Sequence, residues 1–540
     1  MSDDSDHDAI GDLTKEDEEG TNLSGSSVPL RTNVAGASSM VERVPPKFVP
    51  TPFPYHFQVT LKIDTLSDMG WGRGHLFTER YDTIDGSKGN TMTNDDITTG
   101  SDEKSVLDNV PENWEVRVPL VLPGEVVKAR IFKNFDSHSE ADLMEVIQPS
   151  EDRVEPQCPL AGTCGGCQFQ HMKIDRQREW KTDFVRRGIV AQAIQGYISL
   201  NSINEKLFPT VGTDEIYHYR NKLTPHYQAP VKMGDDEYEL EAIGFQQILS
   251  RKLVDVEDCP IATPAINIKF KETRRSLHEQ AKNGLLNNKK RRRKNRRSRN
   301  VDVGATLLFR QADNDEDGNP VVVTDYNEYM TTTVKGIKFR YQAGNFFQNN
   351  DYVVPLMVDG VLEAALQPVS GSDSDKVPSY FIDCYCGSGL FALSASKKFK
   401  LCVGIEVNEK AAKEAGDNAK LNNISNCQFV AASAEALFTS SPALTIPGFE
   451  EQKIQDFPRD ETVVILDPPR KGCSGTFLEQ LFAYSPQRII YMSCGPSTQA
   501  RDAKGIVEIG GYDIVSIQPY DLFPQTKHVE CLMVFEKKAK

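Results

Sequence analysis

No apolar run in the 540-residue chain approaches the roughly 20 residues that a helix needs to span a bilayer. The first twenty residues, MSDDSDHDAIGDLTKEDEEG, lack both the apolar region of a signal peptide and the Arg-rich character of a transit peptide. We therefore expect a protein that is neither secreted nor held in a membrane. Positive charge is also in deficit: the net charge of −15 argues against indiscriminate binding to nucleic acid.

The cysteines lack the even number and regular spacing of a disulfide framework. The chain has eleven of them and no export signal, which favours thiols, metal ligands or a catalytic cysteine over disulfides. One group is notable, because CPLAGTCGGC supplies Cys158, Cys164 and Cys167, and a distant DCP supplies Cys259. Four thiolates at this spacing can hold an iron–sulfur cluster, and zinc would accept them equally well.

Composition divides the chain into four parts. Residues 1–50 are acidic and rich in Ser and Gly, so we expect a disordered tail. Short alternating apolar runs in 51–152 predict a small β-barrel with a polar insertion near 80–110. Residues 153–334 mix helical and extended patterns around the cysteines. Residues 335–540 repeat strand, loop and helix, which predicts a doubly wound α/β domain.

A basic, low-complexity insertion lies at about 280–300, within the third part. Its core KKRRRKNRRSR, Lys289 to Arg299, carries nine positive side chains in eleven positions. Such a run is typical of a nuclear import signal or of a segment that contacts RNA phosphates, and we favour import. We expect the protein in the nucleus, the cytoplasm or both.

A ligand-binding loop follows the first predicted strand of the last part. In DCYCGSG, Gly387 and Gly389 let the backbone approach a ligand closely. Asp383 and Tyr385 flank that approach. Glu406 follows 17 residues after Gly389, about where an acidic residue accepts hydrogen bonds from ribose. Because the full G-x-G-x-x-G spacing is absent, the pattern fits S-adenosylmethionine better than a dinucleotide.

Two later strands each end in a polar loop. DPPR, which begins at Asp467, ends one strand, and SCGP, which contains Cys494, ends the next. The chain then returns through KHVECLMVFEKK, which predicts a hairpin and an antiparallel last strand beginning near Glu530. An antiparallel strand begins where its parallel neighbours end, so Asp467, Cys494 and Glu530 should meet at one edge of the sheet.

A thiol, a carboxylate and a methyl donor at one edge indicate methylation of a pyrimidine carbon. Uracil C5 becomes nucleophilic once a thiolate adds to C6, and a base must remove the C5 proton before the thiol can leave. Cys494 is the candidate nucleophile and Glu530 the candidate base. A single cysteine is most often a small buried residue without a catalytic role. The position of Cys494 in a polar loop beside DPPR favours catalysis instead.

Four motifs together resemble a known family: DCYCGSG, DPPRKG, SCGPSTQARD and DLFPQTKHVE, in this order. From about residue 50 to residue 540 the chain resembles the uracil-5 RNA methyltransferases, in particular the eukaryotic tRNA (uracil-5-)-methyltransferases. The resemblance implies a Rossmann-like, S-adenosylmethionine-dependent domain that converts a T-loop uridine of tRNA to 5-methyluridine. It implies Cys494 as the nucleophile bonded to C6 and Glu530 as the proton acceptor.

The resemblance also implies roles elsewhere in the chain. Cofactor contacts are implied for Gln348, Tyr385, Glu406 and Asp467. The barrel would be an RNA-binding TRAM domain, and HYRNKLTPH, His218 to His226, would line the target-base pocket. Some bacterial members carry a [4Fe-4S] cluster at the cysteine spacing seen here, which favours iron–sulfur over zinc. Leu390 departs from the family pattern, because some bacterial relatives have Asn there.

Two other functions are compatible with the sequence. An RNA cytosine-5 methyltransferase usually places its catalytic cysteine directly after the Pro of D-x-P-C, where this chain has Arg470, so we rank it below the uracil enzyme. A tRNA-binding folding chaperone, with or without methylation, could use the barrel and the basic insertion. We expect tRNA as the partner, no membrane and no obligate protein partner.

Overall fold

The computed structural model describes residues 44–45, 47–76, 106, 110–111, 113–192, 200–234, 237–286, 304–368, 377–437, 445–446 and 449–538. The predicted acidic tail lies almost entirely outside these residues, and so does most of the polar insertion near 80–110. The basic run Lys289 to Arg299 lies wholly outside them. The predictions made for these three segments therefore stay predictions.

The chain divides into two compact units. The first, here called the barrel unit, runs to residue 176 and includes 248–250. The second, here called the sheet unit, comprises 177–247 and the residues from 251 onward. The four-part layout that composition suggested stays a prediction.

The barrel unit is built on five strands: β1 Gln58–Leu66, β2 Gly72–Leu76, β3 Glu115–Val118, β4 Val126–Asn134 and β5 His138–Gln148. They form a closed barrel in the order β1-β2-β3-β5-β4. Every second side chain of β4 faces inward, so Val127, Ala129 and Ile131 are fully buried. The small β-barrel predicted from the alternating pattern is confirmed.

The first part of the sheet unit consists of short antiparallel strands: β6 Lys222–Leu223, β7 His226–Tyr227, β8 Val231–Lys232, β9 Tyr238–Glu239, β10 Ile243–Gln246, β11 Leu253–Asp255, β12 Ala305–Thr306, β13 Phe309–Gln311, β14 Val322–Val323, β15 Tyr329–Val334 and β16 Ile337–Gln342. They pair in the orders β11-β10-β7-β12, β14-β13-β6, β8-β9 and β15-β16. The β15–β16 turn contains Lys335 and Gly336, both at positive φ, as tight hairpin turns require.

The remaining strands are β17 Tyr380–Cys384, β18 Leu401–Glu406, β19 Cys427–Ala431, β20 Thr445–Ile446, β21 Phe449–Lys453, β22 Thr462–Leu466, β23 Arg488–Ser493, β24 Tyr512–Tyr520 and β25 Glu530–Lys537. Seven of them form one sheet in the order β19-β18-β17-β22-β23-β25-β24. Strands β17, β18, β19, β22 and β23 run parallel, whereas β25 is antiparallel to both β23 and β24. This arrangement confirms the parallel α/β sheet and its antiparallel last strand.

The helices among the described residues are α1 Ile174–Gln192, α2 Leu200–Lys206, α3 Pro264–Lys282, α4 Val354–Leu366, α5 Leu390–Ala395, α6 Glu409–Leu421, α7 Gly475–Tyr484 and α8 Pro496–Glu508. Helices α1, α7 and α8 pack on one face of the seven-stranded sheet, and α4, α5 and α6 pack on the other. Because both faces are covered, central strands such as β22 are apolar throughout. Within the described ranges, no helix combines the length and apolar character that crossing a bilayer would take.

Candidate active site

The ends of three strands bring the predicted catalytic residues together. Strand β23 ends at Ser493, and Ser493 pairs with Cys531 of the antiparallel β25. Cys494 and Glu530, the next residues outward on the two strands, therefore lie side by side. Asp467 directly follows β22, the parallel neighbour of β23. The structure thus places at one sheet edge the three residues that the sequence predicted to meet there.

Gln499 connects the two strand ends that carry the thiol and the carboxyl. It is fully buried on α8, and its Nε2 donates hydrogen bonds to the carbonyls of Tyr491 and Cys531, both at 2.8 Å. One side chain therefore bridges β23 and β25. The Gly495 amide also donates to Ser493 Oγ at 3.0 Å, which fixes the start of the loop. The candidate nucleophile and base are thus held by rigid strands, which favours a precise geometry.

Cys494 is half-buried and lies among charged side chains. Burial raises the pKa of its thiol to about 12, and Glu530 adds to that effect. Arg470 opposes the rise through its charge and through a hydrogen bond with the Cys494 side chain. Without bound ligands, Cys494 is therefore a protonated thiol at neutral pH.

The two carboxyls of the site also have raised pKa values. Burial raises the pKa of Glu530 to about 8, with a further contribution from Asp467 and an opposing one from Arg470. Burial raises the pKa of Asp467 to about 7. A carboxyl whose pKa lies near neutrality can accept and release a proton at physiological pH, which is what a general base must do.

The glycine loop after β17 leaves room for a ligand. Gly387 and Gly389 both have positive φ, and a Cβ added at Gly387 would meet no atom within 4 Å. The Gly387 amide donates to Glu406 Oε2 at 3.0 Å, and the Asn408 amide donates to Glu406 Oε1 at 2.8 Å. Asn408 in turn caps α6 through bonds from two backbone amides. Glu406 is therefore fixed at the end of β18, beside the open loop.

Asp383 supplies an acceptor that the described residues do not satisfy. Its Oδ2 accepts a hydrogen bond from the Ala392 amide at 2.9 Å, but its Oδ1 is buried without a partner among the described residues. Burial raises the pKa of Asp383 well above its ordinary value, and the charges of Asp467 and Glu406 raise it further. An open glycine loop with an unsatisfied buried carboxyl oxygen fits a ligand that carries hydroxyl or ammonium donors, as S-adenosylmethionine does.

Gln348 and Tyr385 are the other two predicted cofactor contacts, and they lie in different segments of the chain. Gln348 is buried in the segment after β16. The fully buried Arg310 supports that segment, because its guanidinium donates to the carbonyls of Ala343 and Phe347 at 3.1 and 2.9 Å. Tyr385 has positive φ and lines a cavity of about 610 Å³. The same cavity is lined by Pro469, Lys471 and Gly472 of DPPRKG.

The stretch His218 to His226 contacts the segment that leads into Glu530. The Tyr219 hydroxyl donates to the Pro524 carbonyl at 2.9 Å, and the Arg220 guanidinium lies 5.6 Å from the centre of the Phe523 ring. These contacts place the stretch against the segment before β25. Its role in the target-base pocket stays a prediction.

A buried ion pair fixes the same segment from the side of α1. Lys181 and Asp521 are both fully buried, and Lys181 Nζ donates to Asp521 Oδ1 at 2.5 Å and to the Phe523 carbonyl at 3.0 Å. Gln177 adds a reciprocal pair of hydrogen bonds with Gln525, at 3.0 and 2.9 Å. The approach to Glu530 is therefore anchored by residues about 340 positions away in the chain.

Positive charge gathers around His528, two residues before Glu530. Burial lowers the pKa of His528 to about 3, and the charges of Arg470, Lys527, Lys181 and Arg220 lower it further. The imidazole is therefore neutral at physiological pH. The side chains that surround it form a cationic region suited to an anionic substrate.

The predicted metal ligands do not form a metal centre in the structure. Over the residues described, no group of three or more His, Cys, Asp or Glu side chains could hold a metal ion. Burial raises the pKa of the Cys164 thiol, and Cys158 raises it further. Metal binding requires thiolates, and binding normally organises the ligands. The set Cys158, Cys164, Cys167 and Cys259 stays a prediction from sequence spacing.

Sequence reasoning missed three residues that shape the site. Arg470 lies in DPPR, but no local pattern indicates that its charge acts on both Cys494 and Glu530. Gln499 lies in SCGPSTQARD, where no local pattern indicates that it bridges two strands. Lys181 lies on an amphipathic helix far from the motifs, and nothing in its surroundings predicts an ion pair with Asp521.

The seven-stranded sheet, its antiparallel last strand and the glycine loop define an α/β protein of the Rossmann-like methyltransferase type. Pyrococcus abyssi tRNA (uracil-54, C5)-methyltransferase, solved in complex with S-adenosyl-L-homocysteine, has the same fold. The TM-score is 0.53 at 20% identity, and the match covers 88% of this chain and 99% of that chain.

Sequence comparison identifies the family. The family model described as tRNA (Uracil-5-)-methyltransferase matches residues 313–538. The chain is 37% identical over 432 residues to the tRNA (uracil(54)-C(5))-methyltransferase of Schizosaccharomyces pombe, which covers 79% of this chain and 74% of the relative. It is 30% identical over 502 residues to the Saccharomyces cerevisiae protein of the same description, with 82% and 72% covered. The chain belongs to the tRNA (uracil-5-)-methyltransferase family and is therefore a methyltransferase, which confirms the resemblance seen in the four motifs.

Proposed function

We propose that the protein transfers a methyl group from S-adenosylmethionine to C5 of a uridine in the T-loop of tRNA, forming 5-methyluridine. The observation that carries this proposal is the adjacency of Cys494 and Glu530 at the β23–β25 strand ends. A thiol beside a carboxyl of raised pKa supports addition to a pyrimidine followed by proton removal. The choice of uridine and of its position in tRNA follows the two fungal relatives, which are named for uracil 54.

The proposed reaction has two parts, the first carried out by Cys494 and the second by Glu530. In the first, the Cys494 thiol gives its proton to water, and the electron pair of the resulting thiolate forms the bond from sulfur to C6 of the uracil. The electron pair of the C5–C6 double bond then becomes available for a new bond at C5. S-adenosylmethionine, when bound, supplies the methyl group that C5 accepts. In the second part, Glu530 takes the proton from C5, and the electrons of that C–H bond reform the double bond and expel the sulfur from C6. The thiolate and the ring are both restored.

The direct test is nucleoside analysis of a defined tRNA. Unmodified tRNA incubated with the protein and methyl-labelled S-adenosylmethionine should yield labelled 5-methyluridine from the T-loop fragment after digestion. Label in 5-methylcytidine would instead support the cytosine enzyme, and label at N3 or at the ribose would rule out a C5 reaction altogether.

Four residues are proposed to hold S-adenosylmethionine: Gln348, Tyr385, Glu406 and Asp467. The open space at Gly387 and the unsatisfied Oδ1 of Asp383 support a ligand at this place. Glu406 accepts hydrogen bonds from the amides of Gly387 and Asn408, and a carboxylate can accept further bonds from the two hydroxyls of a ribose.

Glu406→Gln should weaken binding of S-adenosylhomocysteine by roughly 10- to 100-fold, because a charged acceptor is replaced by a neutral amide. Isothermal titration calorimetry measures this loss. Glu409→Gln, three residues on at the exposed start of α6, removes the same charge and serves as the matched control. Equal affinity of the two variants for S-adenosylhomocysteine would show that Glu406 does not contact the cofactor.

Cationic residues near the site support an RNA substrate. Arg470, Lys527 and Arg220 are near enough to His528 to lower its pKa, and they lie in the segments around Cys494 and Glu530. The proposed roles of the barrel as a TRAM-like RNA-binding domain and of the basic insertion in nuclear import rest on the sequence alone. A location in the nucleus, the cytoplasm or both is proposed on the same ground.

We infer from the cysteine spacing that Cys158, Cys164, Cys167 and Cys259 bind a [4Fe-4S] cluster. Protein purified without oxygen should then be brown, with broad absorbance near ~400 nm, and should contain iron and acid-labile sulfide. Cys164→Ser should lose the colour, whereas Cys402→Ser, at a buried thiol of β18, should keep it. Colourless protein with stoichiometric zinc would replace iron–sulfur by zinc, and protein without either metal would rule out the site.

A further inference from the structure

Helix α3 carries a line of basic side chains on an exposed face. The side chains that it turns to the core include Ile266, Phe270 and Leu277. A second line, here called the basic stripe, has the same spacing of three or four residues and is exposed or half-buried: Lys271, Arg275, His278 and Lys282. Residues at this spacing share one face of a helix. The stripe therefore presents positive charge along the C-terminal half of α3.

The acidic side chains of α3 lie beside the stripe and not within it. Glu272 and Glu279 are exposed and seven residues apart, so they form a separate line on the adjoining face. Lys269 pairs with Glu272 at 3.2 Å, which offsets one of these two negative charges. The two signs of charge are thus separated around the helix.

The cations of the stripe differ in their partners. Lys271 pairs with Asp258 at 2.7 Å. Among the residues that the structure describes, Arg275 and Lys282 have no carboxylate within ion-pair distance. These two side chains are therefore the charges that an anionic partner can pair with directly.

Helix α3 begins beside the stretch that contacts the segment before β25. The Arg220 amide donates to the Ile261 carbonyl at 2.8 Å, and the Thr263 amide donates to the Arg220 carbonyl at 3.1 Å. The Arg220 guanidinium lies 5.6 Å from the centre of the Phe523 ring, in the segment that leads into Glu530. The first turn of α3 is therefore joined through one residue to the approach to the active site.

The two unpaired cations lie well along the helix from that start. An α-helix rises 1.5 Å per residue, so Arg275 and Lys282 are about 17 and 27 Å along the axis from Pro264. An enzyme that modifies a base turns that base out of the RNA stack into its pocket, so the flanking RNA stays outside. The two cations are placed for this flanking RNA and not for the target base itself.

The side chains of the stripe suit phosphates better than bases. Proteins that hold unpaired RNA bases stack them on aromatic side chains. The stripe contains no Phe, Tyr or Trp, and the one such residue of α3, Phe270, is fully buried. Double-helical RNA, in contrast, is recognised through its phosphates and ribose hydroxyls. Lysine and arginine without an aromatic neighbour therefore favour the backbone of a stem.

We propose that the basic stripe of α3 binds the phosphates of the tRNA stem next to the loop that carries the target uridine. The inference rests on the proposed function, and it assigns the RNA backbone to a surface outside the catalytic loops. Because the net charge of −15 repels RNA overall, affinity for tRNA depends on local cationic surfaces of this kind. Phosphate contacts position the substrate, so the stripe acts on RNA affinity and not on the chemical step.

The test uses the full chain and an unmodified hairpin with the sequence of the tRNA T-arm. Arg275→Gln together with Lys282→Gln should weaken binding of this hairpin by roughly 3- to 30-fold at about 0.1 M salt, because two phosphate contacts are lost. The plot of log affinity against log salt should become shallower by about 1.5, since each contact contributes roughly 0.7 to 0.9 to its slope. Fluorescence anisotropy measures both quantities. The KM for the hairpin should rise by a similar factor while kcat stays unchanged.

Two further variants separate charge at this place from charge in general. Lys397→Gln together with Lys398→Gln removes the same two charges from exposed positions just before β18, at the amino ends of the parallel strands and away from Cys494. This control should bind the hairpin like the unaltered protein. Arg275→Lys together with Lys282→Arg keeps both charges and should retain the unaltered salt slope.

Each outcome bears on the stripe separately from the methyl transfer. If Arg275→Gln with Lys282→Gln binds the hairpin with the affinity and salt slope of the control, the inference is wrong, and 5-methyluridine formed by the unaltered protein would still support the proposed function. Weaker binding with an unchanged salt slope would also overturn it, because no phosphate contact would have been lost. If binding weakens as expected but the unaltered protein forms no 5-methyluridine, the stripe is an RNA contact and the proposed function fails.

Discussion

Cys494→Ala should reduce methyl transfer to tRNA by about 10⁴-fold or more, to the background of the assay, because alanine has no thiol to form the proposed bond to C6. The variant should fold, since Cys494 is half-buried and the bridge from Gln499 to Tyr491 and Cys531 does not involve its side chain. Methyl incorporation from labelled S-adenosylmethionine measures the effect. RNA annealing measured on the same variant separates a methylation-independent folding activity, which the substitution should leave intact.

Cys402→Ala controls for the loss of a thiol as such. Cys402 is fully buried in β18, away from the strand ends that carry Cys494 and Glu530. The Cys402→Ala variant should methylate tRNA at a rate close to that of the unaltered protein. Residual turnover of Cys494→Ala within about tenfold of this control would exclude covalent catalysis by Cys494.

Glu530→Gln should stop the reaction after methyl transfer, with the RNA still bonded to sulfur. The amide keeps the size of the side chain but cannot accept the C5 proton, and without that step the sulfur cannot leave C6. Turnover should fall by about 10²-fold or more, the usual contribution of a positioned base. A denaturant-resistant protein–RNA adduct carrying the transferred methyl should accumulate and be visible on a gel.

The double variant Glu530→Gln with Cys494→Ala provides the control, and it should form no adduct. Ordinary turnover in Glu530→Gln would remove this carboxyl from the mechanism. An adduct that survives in the double variant would show that some residue other than Cys494 is bonded to the RNA.

The meeting of Asp467, Cys494 and Glu530 at one sheet edge could be predicted because it depends on local patterns. DPPR and SCGP each follow an apolar run, and parallel strands end at a common edge. The short connection between β24 and β25 forces an antiparallel return, which brings Glu530 to that edge. The alternation of apolar residues in 51–152 is likewise a local pattern, and it predicts the barrel. In each case the deciding information lies within about ten residues of the element it specifies.

The supporting contacts could not be predicted, because they join distant parts of the chain. Lys181 and Asp521 are 340 positions apart, and a buried lysine on a helix has no sequence pattern that names its partner. Gln499 bonds two carbonyls, and main-chain acceptors are present at every residue. The hydrogen bond from Thr498 Oγ1 to the Arg470 carbonyl depends on how two loops pack, which periodicity does not determine.

The sequence identifies Cys158, Cys164, Cys167 and Cys259 as possible metal ligands, but it does not determine whether they assemble into a site. Spacing identifies which thiols could bind a common metal, but assembly depends on the charge of the metal itself. Among the described residues, no group of three or more His, Cys, Asp or Glu side chains could hold a metal ion.

We propose that Cys494 and Glu530 together exchange the C5 proton of a tRNA uridine for a methyl group. A single double-label experiment measures this exchange: tRNA carrying tritium at C5 of its uridines is incubated with S-adenosylmethionine labelled with ¹⁴C in the methyl group. We expect one tritium released to water for each ¹⁴C methyl incorporated by the unaltered protein. Glu530→Gln should incorporate methyl without releasing tritium, and Cys494→Ala should do neither. Methyl incorporation by the unaltered protein with all tritium retained in the RNA would rule out this mechanism, because the methyl group would then be attached somewhere other than C5.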